Sequence, residues 1–188
     1  MKKIILSLVL VATAFITNEI QAQHNAIKTG VFDPILGVYG LEFEHSFNWS
    51  TSYQVGAAII TPANYLREYL TEDVTVSGHF VSFQLRKYKS KDAVNGGTFG
   101  GPHIHQTTQE QITHIDEGNL IFKQSQIGVG LVAGRKWVIR DVFIIEWTST
   151  GGVATNDVNI TDKFLGESEK LSFISGYNYN TFVIGYKF

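Results

Sequence analysis

The chain has no cysteine, and its 188 residues include only three prolines and one methionine. Without thiols there is no disulfide framework and no thiolate chemistry, and lipid attachment of the lipoprotein kind is excluded as well. Charge of neither sign accumulates. The formal net charge is −2 at pH 7, and no basic cluster exceeds a few residues, so nucleic acid is not an expected partner. Beyond the opening segment no stretch approaches 18 continuous apolar residues, which excludes membrane-spanning helices. What is abundant is glycine (18), phenylalanine (13) and tyrosine (8). With so little proline, that mixture favours strands and close-packed bends over helices.

The opening segment is a leader. Lys2 and Lys3 form a basic start, Ile4 to Ile16 an apolar stretch, and Gln21-Ala22-Gln23 a cleavage region. The apolar stretch is too short for an ordinary membrane span and has the architecture of a signal peptide. Cleavage is expected after Ala22, giving a signal peptide over residues 1–22 and one domain over 23–188.

The remainder reads as eight strands of about ten residues separated by polar bends, the pattern of an all-β, antiparallel, up-and-down transmembrane barrel. The predicted strands are Ala26–Phe32, Leu36–Phe47, Ser52–Ile60, Val74–Tyr88, Thr98–Thr107, Leu120–Lys136, Val138–Ser149 and Ser172–Phe188. Asp33-Pro34 forms a tight turn. Longer loops are expected over Pro62–Asp73, Thr108–Gly118 and Thr150–Lys170. In the first of these Tyr65, Leu66, Tyr69 and Leu70 have the spacing of a short amphipathic helix. In the last strand Gly176-Tyr177-Asn178 is a potential bend. Side chains alternate across a strand, so Phe182, Ile184, Tyr186 and Phe188 share one face, and Thr181, Val183, Gly185 and Lys187 share the other. An even strand number puts both ends on one side of a membrane, the periplasmic one. Phe47, Trp49, Tyr88, Trp137 and Phe188 then fall where an interfacial aromatic girdle belongs. The alternative is a soluble periplasmic barrel of lipocalin type holding a small apolar ligand. It is disfavoured because one face of most strands is apolar while the other mixes glycine, hydroxyls, amides and charges.

A final aromatic with another two residues earlier (Ile184, Tyr186, Phe188) resembles the insertion signal of bacterial outer-membrane barrels. More widely, the chain resembles small outer-membrane barrels of Bacteroidetes-type bacteria, including a domain family of unknown function. The residues that carry this are Ala26-Ile27-Lys28, Asp33-Pro34-Ile35-Leu36-Gly37, Leu41-Glu42-Phe43-Glu44, Gln84-Leu85-Arg86-Lys87-Tyr88, Gly100-Gly101-Pro102, Gly128-Val129-Gly130 and Ile184-Gly185-Tyr186-Lys187-Phe188. The resemblance implies an eight-stranded barrel of the architecture of small structural outer-membrane proteins. It implies location in the cell outer membrane, contact with outer-membrane lipid, and handling by the barrel-assembly machinery. No activity follows from it.

The face opposite the lipid carries the candidate chemistry. It holds Glu42, Glu44, Ser82, Gln84, Arg86, His103, His105 and Glu146. Charges inside a narrow barrel must be paired, so these residues are expected to form a lumen network centred on Glu44 and Arg86, with Glu146 as a further partner. Such a network fills the lumen and argues against an open pore. His103 and His105 lie on one face at a spacing of about 7 Å and lack an evident third ligand, so hydrogen-bonded imidazoles are expected rather than a metal site. Glu44-His45-Ser46 invites comparison with lipid A deacylases of the outer membrane. However, adjacent His45 and Ser46 point to opposite faces, which does not suit a nucleophile and its base. The sequence therefore leads to a non-enzymatic barrel without a cofactor, either structural or binding a surface protein or glycan through its loops. A lipid A-modifying surface enzyme is the less favoured reading.

Overall fold

The computed structural model describes residues 25–31, 37–48, 50–61, 73–89, 96–115 and 118–188. The expected leader, the expected turn at Asp33-Pro34, Trp49, the loop expected over Pro62–Asp73 up to residue 72, and residues 90–95 and 116–117 lie outside the described residues. The strands are β1 (Asn25–Gly30), β2 (Val38–Asn48), β3 (Thr51–Ile60), β4 (Asp73–Tyr88), β5 (Gly96–Ile115), β6 (Gly118–Ile139), β7 (Phe143–Asp162) and β8 (Glu167–Lys187). Each pairs antiparallel with the next, and β8 pairs with β1 to close the barrel. Backbone bonds between Asn25 and Phe188, at 3.2 and 2.9 Å, complete the seam at the end where the chain finishes.

Three predicted boundaries are corrected. The loop expected over Thr108–Gly118 is strand almost throughout: β5 runs to Ile115 and β6 begins at Gly118, with Ile115 opposite Gly118. The long loop expected over Thr150–Lys170 is likewise a hairpin, β7 continuing to Asp162 and β8 starting at Glu167. Its turn is closed by Asp162 Oδ1, which accepts from the Phe164 and Leu165 amides at 2.8 and 3.2 Å. Thr108–Gly118 and Thr150–Lys170 have the polar composition of loops, yet they pair as strands over most of their length. These segments continue beyond the apolar band of β6 with the backbone ladder unbroken. The third correction is at the other end, where Val138 and Ile139 finish β6 and β7 starts only at Phe143. Arg140 and Asp141 turn the chain there with φ of 52° and 62°, the two positive values of a type I′ turn, and the Val142 amide closes it on the Ile139 carbonyl at 3.3 Å. The bend considered at Gly176-Tyr177-Asn178 is absent, and β8 runs through it.

The barrel is inverted relative to a soluble protein. Buried side chains include Lys28, Glu44, Gln54, Arg86, Lys136 and Glu146, whereas Leu41, Ile59, Val81, Ile127, Leu131, Val153 and Ile184 are exposed. The outward face of β6 shows how far the apolar surface extends. It is apolar from Ile127 to Ile139 apart from Arg135, and becomes polar at Ser125 and Lys123. That stretch rises about 40 Å at about 3.3 Å per residue. A strand tilt of about 45° shortens it to about 28 Å, the height of a bilayer's hydrocarbon core. Outward β4 and β7 change to polar at corresponding places, His79 beyond Val81 and Thr155 beyond Val153.

At the lower edge of this band Phe47, Trp137, Phe143 and Tyr186 are exposed aromatics. Tyr53 joins them, its ring 5.1 Å from Phe47. Tyr88, expected among them, instead points inward and is 2% exposed. It follows Arg86 by two residues and therefore shares its face.

Candidate functional site

The inward residues of β1, β2, β4, β6 and β7 converge in the lower half of the lumen. Eight strands enclose a space just wide enough for side chains, so long charged residues from opposite walls meet. Lys28 Nζ lies 2.9 Å from Glu44 Oε2 and 2.9 Å from Glu146 Oε2, and it also donates to Gln54 Oε1. Arg86 Nη1 is 3.0 Å from Glu146 Oε1 and 3.5 Å from Glu44 Oε2. Arg86 Nε and Nη2 donate to Gln84 Oε1 at 2.9 and 2.7 Å. Lys136 Nζ is 3.1 Å from Glu44 Oε1. That same oxygen accepts from Ser52 Oγ and Tyr88 Oη, both at 2.7 Å.

Aromatic faces supply the rest of the cage. The Arg86 guanidinium lies 4.3 Å from the Phe99 ring centre, and Lys136 Nζ 4.8 Å from that of Tyr88. Three cations thus surround two carboxylates, all within a few per cent of full burial. Each ion in this cluster has a counter-ion and further donors or acceptors, which offsets the cost of burying it.

Of the residues singled out in the sequence, Glu44, Arg86 and Glu146 belong to this cluster. Lys28 and Lys136 were missed. Lys136 was visible in principle, since it continues the inward series Gly128, Gly130, Val132, Gly134. Lys28 stands in the short first strand, where alternation over six residues says little about facing. Glu42 sits apart. It is the cross-strand neighbour of Lys28, but the ammonium is turned to Glu44, Gln54 and Glu146, and Glu42 Oε2 is buried without a hydrogen-bond partner.

His103 and His105 lie above the cluster, with ring centres 5.3 Å apart, closer than the strand rise alone suggested. His103 Nε2 is 3.1 Å from His105 Nδ1 and 2.9 Å from Tyr179 Oη. His105 Nε2 is 3.4 Å from Gln126 Oε1. Gly128 is what admits the His105 ring, because a Cβ there would stand 2.2 Å from its Cε1. Among the described residues no group of three or more metal-ligating side chains occurs. Glu44-His45-Ser46 separates as alternation requires. Ser46 is buried with Glu44, while the His45 ring packs outside against Phe47 and Tyr53.

Between the histidines and the long hairpins is a cavity of about 420 Å³. Gly40, Gly56 and Ala58 line it together with the rings of Phe80, His105, Tyr177 and Tyr179, and Glu42 reaches into it.

Of the residues that resemble an insertion signal, Ile184 and Tyr186 are outward and exposed, and Phe188 is tied to Asn25 at the seam. No helix among the described residues is long and apolar enough to cross a membrane, which says nothing about strands.

No family model matches the chain, and no characterised protein matches it either. Among solved structures, it is similar to a major outer membrane protein from Thermus thermophilus, with 10% identity and a TM-score of 0.47, over 87% of this chain and 97% of that one. At that degree of superposition the likeness adds nothing to the geometry above.

Proposed function

We propose that this chain is an outer-membrane β-barrel whose leader over residues 1–22 is removed on export, and that its role is structural or partner-binding rather than enzymatic. The observation that carries this reading is the inversion of polarity: paired ions fill the interior, and a closed band of exposed apolar side chains about 28 Å high surrounds it. In water such a band would be a severe aggregation liability. In lipid it is the surface the bilayer requires. A lipocalin-like carrier would have the opposite arrangement, and the exposed Leu131 (69%) and Leu41 (59%) have no role in it.

In this reading the Arg140-Asp141 turn is periplasmic, and the β5–β6 and β7–β8 hairpins stand outside the cell, available to a surface protein or glycan. Lipid and, during insertion, the barrel-assembly machinery are the other partners. The ion cluster acts as a plug and a brace. Its charged groups are engaged with one another, which leaves no group poised for proton transfer and closes the lower lumen to free water flow.

The test is fractionation combined with gel migration of boiled and unboiled samples. Enrichment in the outer membrane together with a mobility shift on boiling is the expected result. A soluble periplasmic protein without a shift would refute the proposal.

A further inference from the structure

The cavity above the histidines has a consistent chemistry that the plug does not explain. Its volume of about 420 Å³ lies in the range of small-molecule sites. Small residues hold it open. On β3 the inward positions facing it are Gly56 and Ala58, and Gly40 faces it from β2. In these rows Glu42 stands beside Gly56 on β2, and Phe80 beside Ala58 on β4. Four rings form a continuous wall: Phe80 stacks on His105 with centres 5.7 Å apart, His105 meets Tyr177 edge-on at 4.6 Å, and Tyr177 stacks on Tyr179 at 6.0 Å.

Facing this wall is Glu42. Its Oε2 is buried and has no donor, and the Tyr177 hydroxyl, on the opposite side, is also unpartnered. A buried acceptor without a partner keeps the full penalty of its desolvation, and more so when charged. Lys28, the nearest cation by register, has its ammonium committed to Glu44, Gln54 and Glu146. What Glu42 lacks is a hydrogen-bond donor within reach.

An apolar ligand would leave that oxygen orphaned, and an anion would meet the carboxylate directly. A compact cation bearing N–H groups satisfies Glu42, and aromatic faces attract such a cation as well. We infer that the upper lumen is a binding site for a small organic ammonium ion, its nitrogen held by Glu42 and its apolar body lying against Phe80, Tyr177 and Tyr179. The half-buried state of Gln109, Gln124 and Gln126 in the same lining gives solvent, and hence a solute, access to it.

The experiment is isothermal titration of the full barrel in nanodiscs with 2-phenylethylammonium chloride, using 2-phenylethanol as the uncharged isostere. The ammonium is expected to bind saturably and the alcohol at least about tenfold more weakly, the worth of one charged hydrogen bond. Glu42→Gln should lower ammonium affinity by at least about tenfold and leave the alcohol nearly unchanged. Ala58→Phe, which fills the cavity but keeps the carboxylate, should abolish both. Folding of each variant is checked by the mobility shift on boiling. If Glu42→Gln fails to fold, the ratio of ammonium to alcohol affinity on the unmodified chain decides. Equal affinity for the two probes, undiminished binding by Glu42→Gln or Ala58→Phe, or no saturable binding by the unmodified barrel would each overturn the inference.

Discussion

Replacing Glu146 by Gln tests the ion cluster at its most sensitive point. Glu146 is 0% exposed and is the carboxylate on which Lys28 and Arg86 both converge, at 2.9 and 3.0 Å. Glutamine keeps the shape and one acceptor oxygen, but its NH₂ group then faces a cation that has lost its counter-charge. Three cations would be left in contact with the single carboxylate of Glu44. Breaking a buried pair from one side costs about 3–5 kcal/mol, a fall in the folding equilibrium of roughly two to four orders of magnitude. Lys136→Met makes the complementary change. Glu44 then retains Lys28 and Arg86, as well as hydrogen bonds from Ser52 and Tyr88 at 2.7 Å, so the expected cost is only about 1–2 kcal/mol. The assay is reversible urea unfolding from lipid vesicles followed by tryptophan fluorescence, with linear extrapolation to water. Costs for the two variants within about 0.5 kcal/mol of each other, or a larger cost for Lys136→Met, would refute the account of the cluster as two shared carboxylates among three cations.

Other consequences are open to the same assay. Tyr88→Phe keeps the ring against Phe99, 5.3 Å between centres, but loses the hydroxyl donor to Glu44. A cost of about 1.5–3 kcal/mol is expected, and no change in the unfolding midpoint would return Tyr88 to the role of a packing residue. Leu131→Arg places a charge on the outward face within the apolar band and should destabilise by about 2–4 kcal/mol, whereas Ser125→Arg, above the band, should cost about 0–1. Equal effects would mean that the band does not lie in lipid. A tenfold excess of Zn²⁺ should leave the unfolding midpoint in place, because His103 and His105 spend facing nitrogens on each other and on Tyr179. A zinc-dependent rise that disappears in His103→Ala would instead establish a metal site at this pair.

Alternation along single strands settled much of this protein before any tertiary information. The facing of Tyr53, Val55, Ala57 and Ile59 outward and of Ser82, Gln84 and Arg86 inward follows from a period of two, and eight such segments make a closed barrel the economical way to leave no sheet edge. The same rule applied to the end of β4 would have turned Tyr88 inward. An aromatic at a strand end is the residue type of an interfacial girdle, but parity with Arg86 decides its facing. Strand length was not legible, because in the far parts of β5 and β7, Thr108–Ile115 and Thr155–Asp162, polar residues stand on both faces and the contrast that marks a strand weakens, although the backbone ladder continues. Closure of the barrel decided what no single strand contains. Lys28, Glu44, Arg86, Lys136 and Glu146 come from five strands, and only the curvature and stagger of the whole ring bring their charged ends together. Glu42 shows the same division. Sequence turns it inward, but the tertiary structure directs the ammonium of Lys28 to other carboxylates and leaves Glu42 facing the cavity.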